Sequence, residues 1–246
     1  MDQTPNPGRV ALVTGGAQRV GRAIVEALAT DGFDIAFTFL TSQTEADELV
    51  ASIRKSGRKC VAIKADLTSA TEAANVIDRA MSEFRTLDVL VNNASLYPPS
   101  SLATATEQQL QKLWQIHVAA PMLLCQRFES RLRAAHGHVV NMVDLLAERP
   151  WPEFMAYCTS KAGLLNLTLS LARALAPDVT VNGIAPGIVE WPANYPDGDK
   201  QKYLKRVPLN RSGTPEDVVR VVRFLTQPNS YITGQIIRLD GGRSIT

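Results

Sequence analysis

Apolar and polar positions follow two rhythms that take turns along the whole chain. Short runs rich in Val and Ile, at residues 9–14, 34–40, 59–64, 88–92, 137–143, 180–184 and 235–239, read as buried strands. Between them lie longer stretches whose apolar residues recur at helical spacing. The first carries Val20, Ala23, Ile24, Ala27 and Leu28 on one face and stops at Asp31-Gly32. Further helices are predicted over 44–56 and 71–84, as two stretches within 106–133, over 157–176, and as a pair between 198 and 235. Regular alternation of strand and helix implies an α/β fold. It predicts one doubly wound, Rossmann-type domain whose parallel sheet is flanked by helices on both faces. No stretch of linker composition interrupts the pattern, so residues 1–246 are expected to form that single domain.

Composition narrows the partners. Basic and acidic residues number 26 and 24, and this near balance gives no reason to expect nucleic acid or an anionic membrane. Cys60, Cys125 and Cys158 are odd in number, far apart and outside any CxxC pair. They are expected to be reduced thiols, and no metal cluster is visible. Residues 1–8 are polar with two prolines and are not expected to form a signal peptide. No apolar run approaches the roughly 20 residues needed to cross a bilayer. A cytoplasmic protein is expected.

In a doubly wound sheet, ligands bind at the carboxyl ends of the strands, and the polar clusters of this chain follow its strands directly. After the first strand comes Thr14-Gly15-Gly16-Ala17-Gln18-Arg19-Val20-Gly21. Glycine permits a tight turn and close approach, and a helix N-terminus offers N–H groups to a pyrophosphate. Arg19 would face phosphates or an anionic substrate edge, whereas Arg22 is expected at the surface. The second strand ends in Phe39-Leu40-Thr41-Ser42, with no carboxylate before Glu45. A 2′-phosphate would meet the Thr41 and Ser42 hydroxyls there, which favours NADP(H) over NAD, although the usual arginine is missing. Asp66 follows the third strand, where it either accepts from an adenine amino group or caps the next helix. Asn92-Asn93-Ala94-Ser95 closes the fourth strand with small polar residues suited to a ribose.

Tyr157 and Lys161 share one helix face at i, i+4. At ~4 Å and an effective dielectric near 20, an ammonium would favour the phenolate by roughly 4 kcal/mol, about three pKa units. That would bring the tyrosine toward proton exchange near neutral pH.

Over essentially its whole length the chain resembles the short-chain dehydrogenases/reductases. The resemblance rests on the turn at 15–21 (with Arg19 where the TGxxxGxG pattern has its middle glycine), Asp66, Asn92-Asn93-Ala94, Tyr157 with Lys161, Pro186-Gly187 and Asp240-Gly241-Gly242. It implies NADP(H) contacts at Gly15, Arg19, Val20, Gly21, Thr41, Ser42, Asp66, Leu67, Asn93, Ala94, Tyr157, Lys161, Pro186, Gly187 and Ile188. Ile188 would offer its backbone to the nicotinamide amide, Tyr157 would be the general acid, and Lys161 would hold the ribose and tune the phenol.

Two positions depart from the common pattern. Asp144 stands thirteen residues before the tyrosine, where most members carry serine, and His117 stands where most carry asparagine. A serine can donate to a substrate carbonyl, whereas an ionised carboxylate only accepts. Asp144, Arg19 and Asn93-Ala94-Ser95-Leu96-Tyr97-Pro98 are together similar to the pteridine reductases and dihydromonapterin reductases. That subgroup implies proton delivery to a ring nitrogen by Asp144 and Tyr157, and substrate contacts at Arg19, Ser95 and Trp191. Tyr97, or Leu96 in its place, would stack the heterocycle. The family also implies a homotetramer.

Blander readings stand beside these: Asp144 paired with Arg149, His117 as a helix-packing residue, His136 and His138 in a surface loop. The leading expectation is NADPH-dependent reduction of a pterin C=N bond. The alternatives are a general carbonyl or 3-oxoacyl-thioester reductase, which an anionic Asp144 weighs against, and a dinucleotide-binding regulator with little turnover.

Overall fold

Seven runs of β-branched and apolar residues pair side by side, all parallel, in the order β3-β2-β1-β4-β5-β6-β7. They are β1 (Val10–Val13), β2 (Asp34–Phe39), β3 (Cys60–Lys64), β4 (Val89–Asn92), β5 (His138–Met142), β6 (Thr180–Pro186) and β7 (Ile236–Leu239). The computed structural model describes residues 8–191 and 196–246. Residues 1–7, which include most of the segment read above as lacking a signal peptide, and 192–195 of the irregular stretch lie outside the described residues. After β3 the winding restarts from β1 on its other side with β4. This places the topological switch point at the carboxyl ends of β1 and β4.

Both faces of the sheet are covered. On one, α1 (Arg19–Thr30), α2 (Gln43–Lys55) and α8 (Pro215–Leu225) bury Ile24, Leu28, Leu49 and Val222 against Val13, Phe37 and Val91. On the other, α3 (Ala70–Glu83), α5 (Ala120–Ala134) and α6 (Met155–Leu175) pack Val76, Leu124, Phe128 and Leu175 against Leu12, Leu90 and Val139. Each such side chain taken from water stabilises the fold by about 1.5–3 kcal/mol. This two-sided burial explains why the strands read as continuous apolar runs.

Strand ends match the expected bounds to within one or two residues, and β6 runs two residues further, to Pro186. The two helical stretches expected within 106–133 are α4 (Glu107–Trp114) and α5, joined without a break by a π-helical turn, Gln115–Ala119. Pro121 opens α5 and has no N–H for the carbonyl of His117, four residues back, so the ladder there shifts register. One helix remains, α7 (Asp197–Leu204), just after residues 192–195.

One expectation fails in the sheet. His138 is not a loop residue but the buried first residue of β5, where its Nδ1 bonds to Thr180 Oγ1 at 2.8 Å. Burial, with Arg9 adding to it, lowers its pKa. His136 is exposed as expected. The three cysteines are free and buried, and burial pushes Cys60 and Cys125 up to about 12. Among the described residues no helix is long and apolar enough to cross a membrane, and no group of three or more His, Cys, Asp or Glu is arranged to hold a metal.

Candidate active site

The switch point opens into a cleft of about 560 Å³ lined by residues from nearly every strand end. Its floor is the turn after β1, where the backbone is tightly constrained. Gly15 has φ +65° and donates its N–H to Thr38 Oγ1 at 3.0 Å. A Cβ on Gly21 would sit 2.0 Å from the Gly15 carbonyl oxygen. Asn93 locks the turn from the side, donating through Nδ2 to Thr14 O at 2.9 Å and to Gly15 O at 3.1 Å. Thr14 Oγ1 accepts from the Asn93 and Ala94 amides at 2.9 and 3.0 Å. The helix that follows, α1, has no side-chain cap and no acidic residue in its first turn. Its N-terminal N–H groups and positive dipole end are therefore free of a competing side-chain anion, as a phosphate requires. The chain's own chemistry fits a dinucleotide phosphate here.

Around this floor, Val20, Leu67, Asp66, Pro186, Gly187 and Ile188 all line the cleft, as expected. Several details differ. Arg19 begins α1 with φ +51° and reaches across the cleft, its Nε 2.7 Å from Glu190 Oε2, so its cation is held by protein. At the end of β2 the wall is made by Thr38, Phe39 and Leu40, with Thr41 and Ser42 just beyond it. Glu45, in the first turn of α2, accepts from Gln18 Nε2 at 2.7 Å. Asp66 is not the helix cap. Its Oδ1 accepts from Thr68 N and Thr68 Oγ1 at 2.9 and 2.7 Å, while Ser69 caps α3. Ile188 has both backbone groups engaged: its N–H donates to Tyr203 Oη at 3.2 Å and its carbonyl accepts from Gly213.

The far end of the cleft holds the reactive groups. Tyr157 and Lys161 project from the first turns of α6, and both are buried. Asp144 follows β5, and its Oδ2 accepts the Tyr157 hydroxyl at 2.7 Å while its Oδ1 accepts the Leu146 N–H at 2.7 Å. It is not paired with Arg149, which donates to the Ser244 carbonyl instead. Burial pushes the Asp144 carboxyl above its ordinary range, opposed by the Leu146 amide, the phenol and Lys161.

The expectation that Lys161 would pull the phenol toward neutral pH is overturned. Tyr157 is raised well above its ordinary value, first by burial and then by the Asp144 carboxylate. The Lys161 ammonium donates to Met142 O at 2.7 Å and stands 5.7 Å from the centre of the phenol ring, too far to offset an acid in direct contact. Burial lowers Lys161 itself to about 8.

Tyr97 stacks on Phe154 with centroids 4.2 Å apart and meets Tyr157 edge-on at 4.6 Å, whereas Leu96 packs into the core behind it. Ser95 lines the cleft and bonds to His117. Trp191 is not part of the wall but packs edge-on against Tyr203, which is. Sequence reading missed Trp151, Tyr203 and Arg243. Arg243 comes from the last turn of the chain, with its guanidinium 5.6 Å from the Tyr203 ring centre. No local spacing links a C-terminal arginine to a cleft built mostly by residues 15–190; only the tertiary fold does.

Comparison with known proteins agrees with this geometry. The family model described as enoyl-(acyl carrier protein) reductase matches residues 15–244. The L-2,3-butanediol dehydrogenase of Corynebacterium glutamicum is 36% identical over 95% of this chain and 98% of its own. The 3-oxoacyl-[acyl-carrier-protein] reductase FabG of Staphylococcus epidermidis is 32% identical over 94% of this chain and 97% of its own. A short-chain dehydrogenase from Burkholderia cenocepacia, solved in complex with NADP, superposes with a TM-score of 0.89 at 34% identity, covering 96% of this chain and 97% of that one. None of the three is described as a pterin reductase.

Proposed function

Because the chain belongs to the short-chain dehydrogenase/reductase family, we propose that it is an NADPH-dependent reductase of a small-molecule carbonyl, such as an acyloin, a diketone or a 3-oxoacyl thioester. The names of the relatives favour this over pterin reduction. The cofactor reading is supported by the NADP complex of the Burkholderia protein and by the uncapped α1 N-terminus behind Gly15 and Gly21. NADPH, when bound, supplies the hydride.

The observation that carries the proposal is the Tyr157–Asp144 contact at 2.7 Å, beside Lys161 at the closed end of the cleft. Tyr157 gives its proton to the substrate oxygen. An alkoxide is far more basic than a phenolate, so the transfer runs downhill even from a phenol whose pKa is raised. Asp144 holds the phenol in place, and the Lys161 ammonium stabilises the phenolate left behind. The objection that an anionic Asp144 would repel a developing oxyanion weakens in this setting. Burial makes the Asp144 carboxyl carry its charge less readily than an exposed one, and its Oδ2 is already engaged by the phenol.

One observation favours the pterin reading. When ionised, Asp144 is an acceptor-only group at the reacting end, matched to the N–H donors of an aminopterin. A substrate panel decides between them: NADPH and NADH, each with acetoin, an acetoacetyl thioester and a dihydropterin. Turnover of a carbonyl with NADPH supports the proposal. Turnover of the dihydropterin alone replaces it with the second reading, and tight NADPH binding without turnover leaves a dinucleotide-binding regulator. We also propose a cytoplasmic homotetramer, in which the half-buried edge strand β7 and the Asp240–Gly242 turn meet a second copy; a monomeric mass by light scattering removes that part.

A further inference from the structure

His117 is buried in the π-helical turn and sits between two hydroxyls. Ser95 Oγ lies 2.9 Å from its Nε2 and Ser160 Oγ 2.8 Å from its Nδ1. Each serine has one proton to give, so the partners reveal which nitrogen is protonated. Ser160 Oγ donates to the Tyr157 carbonyl oxygen at 2.7 Å, a separation at which two oxygens share a proton. Ser160 must therefore accept from His117 Nδ1–H. On the other side, the Leu96 N–H, which can only donate, points at Nε2 from 3.4 Å. Two independent contacts require the same tautomer, with the proton on Nδ1 and a bare Nε2. The ring is also neutral: burial, with Lys161 second, lowers its pKa to about 2. The consequence falls on Ser95, whose single proton is directed to Nε2. Its lone pairs remain on the open side, in the cleft that Tyr157 also lines.

We infer that His117 is a positioning residue which fixes Ser95 as a pure hydrogen-bond acceptor, so that the site selects substrates bearing an N–H or O–H donor next to the bond reduced. The substrate half of this inference rests on the proposed reductase function; the tautomer half does not. The one Tyr157 proton goes to Asp144 Oδ2. A substrate hydroxyl that donates to Ser95 satisfies lone pairs that a simple ketone cannot serve. Among carbonyl compounds this selects α-hydroxy ketones over ketones without a donor. The preference is about tenfold in kcat/KM, the usual worth of one neutral hydrogen bond.

Two measurements test it. The intact protein labelled with 15N-histidine has three imidazoles, assigned by replacing each histidine in turn. The His117 spectrum is expected to show a protonated Nδ1 and a bare Nε2, unchanged from pH 5 to 8; a protonated Nε2, or titration in that window, overturns the inference. Kinetics with an α-hydroxy ketone and its O-methyl ether give the second test. The wild-type ratio of about ten should collapse toward one in Ser95→Ala and in His117→Gln, whose amide can present a donor to Ser95. A ratio unchanged in Ser95→Ala overturns the specificity claim. If the wild type reduces no carbonyl and no pterin, the functional proposal fails, while the NMR result still decides the tautomer.

Discussion

The Tyr157 hydroxyl donates to Asp144 Oδ2 at 2.7 Å, and this contact reverses what the Tyr157–Lys161 spacing by itself suggests. Both burial and the carboxylate raise the phenol pKa, so Tyr157 stays protonated across the accessible pH range and acts as an acid only toward a strong base. Tyr157→Phe keeps the ring and its edge contacts with Tyr97 and His117 but removes the proton. Turnover should fall by roughly 10²–10⁴, the usual share of a general acid, while NADPH affinity, followed by nicotinamide fluorescence, changes by less than about threefold. Turnover within a few-fold of wild type would show that another group delivers the proton.

Asp144 makes a prediction about stability with a definite sign. An exposed Asp titrates near 3.9, and the folded value lies above that because burial penalises the charge. The native state therefore holds its proton more tightly than the unfolded chain, and stability is lost as pH rises from about 4 through the folded pKa. Asp144→Asn keeps an acceptor for the Leu146 amide and offers a donor to the phenol oxygen, without the charge. Its Tm should match that of the wild type near pH 4 and exceed it at pH 8. A gain on the order of 1 kcal/mol would appear as about 2–4 °C. A variant less stable than wild type at pH 8 would mean that the carboxylate is net favourable where it sits. The companion change Asp144→Ser separates the two substrate readings, since it provides a donor for carbonyls and removes the anion matched to the N–H donors of a pterin.

Much of this site could be read from the sequence because it depends on local spacing. The turn at 15–21, the i, i+4 pair Tyr157 and Lys161, and the small polar residues closing β4 are short-range patterns, and the sheet then brings their strand ends together. What escaped depends on distance across the fold. His138 looked like a loop residue because Gly137 precedes it, yet pairing with Thr180 on β6 buries it. Arg243 enters the cleft from the chain terminus. The sign of the Tyr157 shift was misjudged because spacing brings Lys161 one turn away but does not reveal that its ammonium is taken by the Met142 carbonyl. The pterin expectation leaned on Asp144, Arg19 and residues 93–98, and the named relatives lead toward carbonyl substrates instead.

The turn itself can be tested at one atom. A Cβ at Gly21 would fall 2.0 Å from the Gly15 carbonyl oxygen and 2.7 Å from Asn93 Nδ2. Neither can retreat easily, because Asn93 also holds Thr14 O and Gly15 O. Gly21→Ala should cost on the order of 2–4 kcal/mol as an overpacking change, lowering Tm by roughly 4–16 °C. NADPH affinity should weaken by at least about tenfold, because the same carbonyl sets the approach to the first amides of α1. Unchanged Tm and affinity would show that the turn relaxes and that its tightness is not what recognises phosphate.

Lys161 gives the last prediction, in pH rather than in sequence. Its folded pKa is lowered to about 8 by burial, with Asp144 partly opposing, against about 10.4 in the unfolded chain. Below pH 8 the native state carries a buried ammonium at some cost, and that cost is relieved as pH rises from about 8 toward 10.4, so this group by itself adds stability with alkalinity. Function runs the other way. The cation is what attracts an anionic cofactor, and kcat/KM for NADPH reports ionisations of the free enzyme. It should therefore fall above about pH 8, with one proton lost, while Tm holds or rises over the same interval. Lys161→Arg keeps its charge throughout and should abolish the alkaline limb even if its absolute rate is poor. A limb that persists in the arginine variant would assign the titration to another group.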